Sequence, residues 1–253
     1  MAVIALTSAS GSPGVTTTAL GLSLLWPRPV LLVEADPTGG SGLLAGFFRG
    51  TREYDSGLIE LALSSYDVAD ALPGVVQRIE GTLAGFIAGT RSHAQAAGLR
   101  DLWQPLAGAL ADLDTTGQDV IIDAGRLGLV GTPEPLLANA DLSVLVTRTT
   151  LPALAAARSW ADAVKQTSAW RDPCVLLVGE EQPYSRKEVA TVLGLPVMGA
   201  LADDEDGAAV YHRGANPPHR FETGPFVRSL RAAIEAIHAR VASSRLELAE
   251  VTP

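Results

Sequence analysis

The sequence predicts an α/β fold: a doubly wound, mainly parallel sheet of about seven strands with helices on both faces. Two observations carry that expectation. Short β-branched apolar runs alternate with longer segments of helical spacing, the order that parallel βαβ units impose. A chain of 253 residues with 47% hydrophobic residues, 25 Gly and 16 Pro also has the core-forming content and turn residues for one layered domain, placed at 1–242, with 243–253 as a frayed polar tail.

The strands are expected at Val3–Thr7, Val30–Glu34, Thr82–Ile87, Asp119–Asp123, Leu142–Thr147, Val175–Val178 and Val197–Leu201. Helices are expected at Gly14–Leu25, Gly57–Leu63, Gln95–Leu113, Pro133–Asn139, Leu151–Gln166, Arg186–Leu193, Glu205–Arg213 and Pro225–Val241. The acidic run Asp203-Asp204-Glu205-Asp206 suits the start of a helix, where the backbone dipole favours negative charge, better than a metal site. The last helix repeats apolar residues at Phe226, Val227, Leu230, Ala233, Ile234, Ile237 and Val241, the face of a helix packed on a sheet. A membrane-surface helix calls for a lysine-rich polar face, and the acidic Leu246-Glu247-Leu248-Ala249-Glu250 weakens that reading.

Charge excludes several partners. There are 28 acidic against 19 basic residues, a net charge of −9, and Lys165 and Lys187 are the only lysines. General adhesion to nucleic acid or to an anionic membrane needs the opposite balance. Cys174, the single cysteine, adjoins the apolar Val175-Leu176-Leu177-Val178 and reads as a buried thiol, so no disulfide can form within the chain. The amino terminus has neither a basic start nor a long apolar run, which points to a cytoplasmic protein recruited to membranes, if at all, by partners. His93, His212, His219 and His238 show no zinc-ligand spacing. Ser41, within Gly39-Gly40-Ser41-Gly42, lacks the turn of a serine nucleophile.

The chemistry-bearing motif follows the first strand: Gly11-Ser12-Pro13-Gly14-Val15-Thr16-Thr17, then a helix. A glycine-bearing loop at that place aims successive N–H groups and a helix amino terminus at an anion. An ordinary capped βα turn has the same local appearance. Downstream, Val33-Glu34-Ala35-Asp36-Pro37-Thr38-Gly39 ends the second strand and Asp119-Val120-Ile121-Ile122-Asp123 forms another. A late block runs Leu193-Gly194-Leu195-Pro196 to Leu201, then Asp203-Asp204-Glu205 and Arg213-Gly214.

In this order the blocks resemble the ParA/MinD group of P-loop ATPases. The resemblance implies a nucleotide-binding loop at residues 11 to 17, and magnesium held through Thr16, Asp36 and Asp123, with Asp36 a candidate for positioning the water. In the family the loop reads Lys-Gly-Gly-x-Gly-Lys-Thr-Thr, which places its lysines at Ser10 and Val15. A valine supplies no charge to β- and γ-phosphates, and losing such a contact costs on the order of 3 kcal/mol or more in the transition state. Ser10 cannot reach across a dimer as the family's first lysine does. Gly179 stands where the family commonly places an adenine-reading Asn.

Arg126 and Arg148, at strand ends, are the arginines best placed to substitute for the missing lysine. Arg49–Asp55 and Gly89–His93 read as exposed connections or as a partner-facing rim. Three functional readings follow from the resemblance. The first is a positioning or assembly factor with weak or no ATP hydrolysis, working with protein partners as a homodimer or otherwise; its altered loop resembles the TadZ/CpaE branch that places pilus or secretion machinery. The second is an atypical Mg-ATPase of partitioning, division or secretion, its missing charge supplied by an arginine or a partner. The third is a nucleotide or anion sensor whose Pro37–Gly42 segment moves without turnover.

Overall fold

Strands that are apolar on both sides need helices on both sides. The computed structural model describes residues 2–113 and 117–251, with side chains as far as Leu246 at the carboxyl end. In chain order the elements are β1 (Val3–Ser8), α1 (Val15–Leu25), β2 (Val30–Glu34), a π-helical turn (Leu43–Phe47), α2 (Leu58–Ala62), α3 (Val68–Val75), β3 (Gln77–Arg78), β4 (Ala84–Ile87) and α4 (His93–Ala96). A 3₁₀ turn (Ala97–Leu102), α5 (Trp103–Asp112), β5 (Asp119–Arg126), α6 (Glu134–Asn139), β6 (Leu142–Arg148) and α7 (Leu151–Thr167) follow. The chain then forms β7 (Pro173–Val178), α8 (Arg186–Leu193), β8 (Val197–Leu201), α9 (Glu205–His212), a 3₁₀ turn (Phe221–Thr223) and α10 (Pro225–Val251).

Among the described residues eight strands form one sheet in the order β3-β4-β2-β5-β1-β6-β7-β8. All neighbours are parallel except β3 and β4. Period-two alternation divides the core. Val3 and Ala5, Leu31 and Val33, Val120 and Ile122 face one apolar layer with α5, α6, α7 and α8. Ile4 and Leu6, Val30 and Leu32, and Ile121 face the other, with α1, α9 and α10. Connections crossing the sheet in both directions from β1 leave a crevice at the carboxyl ends of the central strands.

Several elements depart from expectation. The sheet has one strand more than about seven: Gln77–Arg78, two residues pairing antiparallel with Gly85 and Phe86, too short for a periodic signal. The strand expected from Thr82 begins at Ala84, because the Thr82 hydroxyl accepts from the Ala84 N–H and donates to the Ile79 carbonyl, closing a turn instead. The single helix expected over Gln95–Leu113 is three pieces, α4, a 3₁₀ turn and α5. Pro105, in the first turn of α5, has no N–H to continue a longer helix through that point.

The polar tail expected from Ser243 continues as helix to Val251. Neighbouring carboxylates explain part of the extension: Asp172 accepts from the Arg240 guanidinium and from the Ser244 hydroxyl (2.9 Å), and Arg245 pairs with Asp141 at 3.6 Å. The final residues, 252–253, lie outside the described residues. The apolar face of α10 is buried from Phe226 to Val241, and no helix among the described residues is long and apolar enough to cross a membrane. Cys174 is buried, its Sγ 3.3 Å from Met198 Sδ.

Candidate functional site

The turn from β1 into α1 builds one wall of the crevice. Gly11 and Gly14 hold left-handed φ of 65° and 96°, which glycine adopts without a Cβ penalty. Gly14 is the amino-terminal cap of α1 and makes no side-chain cap bond, so the helix leaves its first N–H groups facing the loop. Together with Ser12, Pro13, Thr16, Thr17 and Thr18 these glycines line a cleft of about 850 Å³. The loop residues expected to bind phosphate are therefore brought together as the sequence implies.

Val15 is different. It touches the cleft, yet only 7% of its surface is exposed and it belongs to the apolar layer with Leu20, Leu44 and Ile121. The residue expected from the motif order to carry a cation is here part of the core.

Beneath the loop lies a group of acids. Asp123 stands opposite Leu6 of β1, at the last regular pair before a bulge beyond which Ser8 pairs with Arg126; it is 1% exposed and accepts from the Gly125 N–H at 3.0 Å. Burial pushes its carboxyl up to about 7; the Thr16 side chain hydrogen-bonds it and opposes the shift, while the charges of Asp36 and Glu34 add to it. Asp36 is half-buried at the end of β2, accepting from the Thr38 N–H at 2.9 Å. Thr16, Asp36 and Asp123, expected to share magnesium, thus stand together.

Glu34 is a functional neighbour that the motif reading leaves without a role. It is 4% exposed, and its carboxyl accepts from the Ser41 hydroxyl, from the Leu43 N–H at 3.0 Å and from the Gly89 N–H at 3.4 Å. Burial raises its pKa and these bonds counter the rise. The sequence signal was the acid-x-Asp spacing itself, which does not say what the first acid touches.

The opposite wall comes from β8 and α9. Asp203, Asp204 and Glu205 line it with Ala208, His212 and Phe226. Asp204 caps α9 by accepting from the Gly207 N–H at 3.0 Å, as the acidic run suggests. Arg148 reaches the cleft but is paired with Asp203 at 2.9 Å, so it is not a free replacement for the lysine. Arg126 also lines the cleft, and no ion pair among the described residues involves it. Gly179 carries φ 72°, and a Cβ there would meet Gln182 Oε1 at 2.8 Å. That position turns the chain after β7 in the left-handed region, which Gly adopts freely and Asn tolerates better than other residues.

Arg49–Asp55 and Gly89–His93 do not line the cleft; they lie against each other. The Arg91 guanidinium stacks over the Tyr54 ring at 4.5 Å and pairs with Glu60 at 3.1 Å, and the Tyr54 hydroxyl donates to the Gly89 carbonyl.

Solved structures share this architecture. MinD in the MinC:MinD cell division complex of Aquifex aeolicus superposes with a TM-score of 0.74 at 13% identity, over 94% of this chain and 96% of that one. The septum site-determining protein MinD with Mg-ADP from Pyrococcus horikoshii gives 0.73 at 16% identity, over 96% and 98%. An ATP complex of a McdA variant from Cyanothece gives 0.69 at 18% identity, over 94% and 96%. The fold is that of MinD. No family model matches the sequence, and no curated protein matches it.

The Mg-ADP and the ATP named for two of those structures would meet a partial fit here. The Gly11–Thr17 turn offers N–H groups suited to a phosphate. The charges do not balance a triphosphate: Asp36, Asp203, Asp204 and Glu205 line the cleft against Arg126, a committed Arg148 and His212, and Val15 adds none.

Proposed function

We propose that this chain is a MinD-fold positioning or assembly factor that hydrolyses ATP very slowly or not at all, and that it acts by binding other proteins. The observation that carries the reading is Val15: at the place of the phosphate-loop lysine it is an apolar side chain packed into the layer beneath the loop. A hydrolytic P-loop stabilises charge developing on the transferred phosphoryl group, and here that position offers neither charge nor donor. The altered loop resembles that of the TadZ/CpaE branch, which places pilus or secretion machinery, and that branch supplies a functional analogy. Dimerisation, if used, draws on a surface other than a nucleotide sandwich braced by a lysine at position 10.

Calorimetric titration of ATP and ADP with magnesium, followed by a phosphate-release assay, tests this. The expected result is no turnover above a Thr16→Ala control. Micromolar binding with clear turnover would overturn it. Val15→Lys is the physical complement: a rise in nucleotide affinity of tenfold or more would show a cleft intact apart from its charge.

Arg126 favours a second reading, an atypical Mg-ATPase. It is the cleft arginine without an ion pair among the described residues, and a guanidinium can bind phosphate oxygens bidentately. If the titration does find binding, Arg126→Ala should abolish it under this reading and leave it unchanged under the first.

A further inference from the structure

The two edges of the sheet are finished differently. At one, β3 is only two residues long, and the Arg52 guanidinium donates to the Arg78 carbonyl at 2.8 Å, so a charged side chain covers the backbone there. At the other, β8 is five residues long, Val-Met-Gly-Ala-Leu, with neither a charge nor a proline. Its first four residues are half-buried, where β1, β2 and β4 are buried throughout. From 189 to 202 the chain carries no charged residue at all.

In a strand the N–H and carbonyl of one residue point to the same side, and the next residue's point to the other. The Leu201 carbonyl accepts from the Gly179 N–H at 3.0 Å and so faces β7, which turns the N–H and carbonyl of Ala200 to the open side. Among the described residues no side chain hydrogen-bonds to the β8 backbone; the Ala202 N–H, just past it, donates to Ser229 Oγ at 3.1 Å and ends the edge on α10. The pairing with β7 passes from Val197 to Gly199, so Met198 is the extra residue of a bulge and Gly199 to Leu201 is the regular part. Gly199 has no left-handed φ, and a Cβ added there would meet only Leu176 Cδ1 at 3.6 Å, an ordinary contact. A single copy of the chain therefore gives no reason for glycine at 199, and a glycine inside a strand marks a place where another backbone approaches closely.

We infer that β8 is a self-association edge, at which two copies of this chain join β8 to β8, antiparallel about a two-fold axis at Ala200, into one continuous sheet. On that axis the outward N–H and carbonyl of Ala200 exchange both bonds with their equivalents, and Gly199 lies opposite Leu201, small against large. A two-fold contact sets one patch against itself. A chain of net charge −9 can make such a contact where the patch is uncharged, as residues 189–202 are. Val192 of α8, 44% exposed just before β8, adds apolar surface beside the strand. A charged peptide would find no countercharge on this strand. The contact needs no nucleotide and leaves the cleft free, and it stands whether or not the cleft hydrolyses ATP.

Sedimentation equilibrium of the full chain without nucleotide, from about 1 to about 100 µM, tests this, with a monomer–dimer equilibrium expected in that range. Ala200→Pro removes only an outward N–H, which an edge strand tolerates, and Gly199→Lys brings a charge to the contact in space the fold leaves open. Each should weaken the dimer at least tenfold with the far-ultraviolet circular dichroism unchanged. A monomer throughout would overturn the inference, and so would a dimer that either folded variant keeps at parental strength. Where a variant fails to fold, the unaltered chain decides: amide exchange over 197–201 should slow at least tenfold from the lowest to the highest concentration. Exchange there that ignores concentration would overturn the inference as well.

Discussion

Strand β5 carries two buried aspartates, one at its amino end and one just past its middle on the cleft side, and the two have opposite surroundings. Asp119, at the amino end, is fully buried and surrounded by donors: the Ala2 N–H, Trp26 Nε1 and the Arg28 guanidinium, each at 2.7 Å. Asp123, four positions on and facing the cleft end, has the Gly125 N–H and the Thr16 side chain, with Asp36 and Glu34 as like-charged neighbours. The donor-rich aspartate ties the amino-terminal strand, α1's exit and β5 together. The other is held in an environment that resists its charge. Stability is concentrated at one end of the strand and strain at the end where ligands bind in this fold.

The comparison can be broken most forcefully at Asp119. Asp119→Ala leaves a buried backbone N–H and an indole N–H without their acceptor, and should cost about 3 kcal/mol or more in urea denaturation. A loss below about 1 kcal/mol would mean that this end is no anchor.

Asp123→Asn should act in the other direction. Because the folded pKa stands near 7 and the ordinary value is 3.8, the native state keeps a proton that the unfolded chain releases between those pH values. The contribution to stability is therefore fully present below about pH 4 and is lost as pH rises through about 7. The Asn variant lacks this loss, so above pH 7 it should be more stable than the parent by up to about 4 kcal/mol, with the gap closing toward pH 4. Thermal melts across that range check it, and a gap independent of pH would contradict it.

The smallest effect belongs to His238, which meets the Trp26 ring edge-on at 4.7 Å. Burial, then the nearby Arg28 charge, lower its pKa below the ordinary 6.5, against the pull of Asp119. The native state favours the neutral ring, so this contribution is present above pH 6.5 and lost as pH falls through the lowered value. His238→Gln should flatten the acid side of the stability profile by less than about 1 kcal/mol, measured by urea midpoints at pH 7 and pH 5.

These contrasts mark what sequence could and could not supply. Val30–Glu34, Val197–Leu201 and Arg186–Leu193 appear where periodicity put them, since both strands are apolar runs and the helix starts with a Ser185 to Glu188 capping box. The loop residues and the acids Asp36 and Asp123 were legible because the motif fixes their order along the chain. Partnerships across the sheet were not. Nothing local to Arg148 announces Asp203, 55 residues away, and nothing local to Glu34 announces the Gly89 N–H from β4. The two-residue β3 and the broken helix over Gln95–Leu113 escaped for a related reason: both are set by what packs beside them rather than by a repeating pattern.

The burial of Val15 has a further consequence. Packing a valine into the layer beneath the loop stabilises the fold by roughly 1.5 kcal/mol, and a lysine there would have to leave that layer or carry its ammonium out into the cleft. The apolar contact of Val15 therefore makes the domain more robust at the first turn of α1. A lysine placed here would have to give up that core packing first, so the fold itself opposes the substitution.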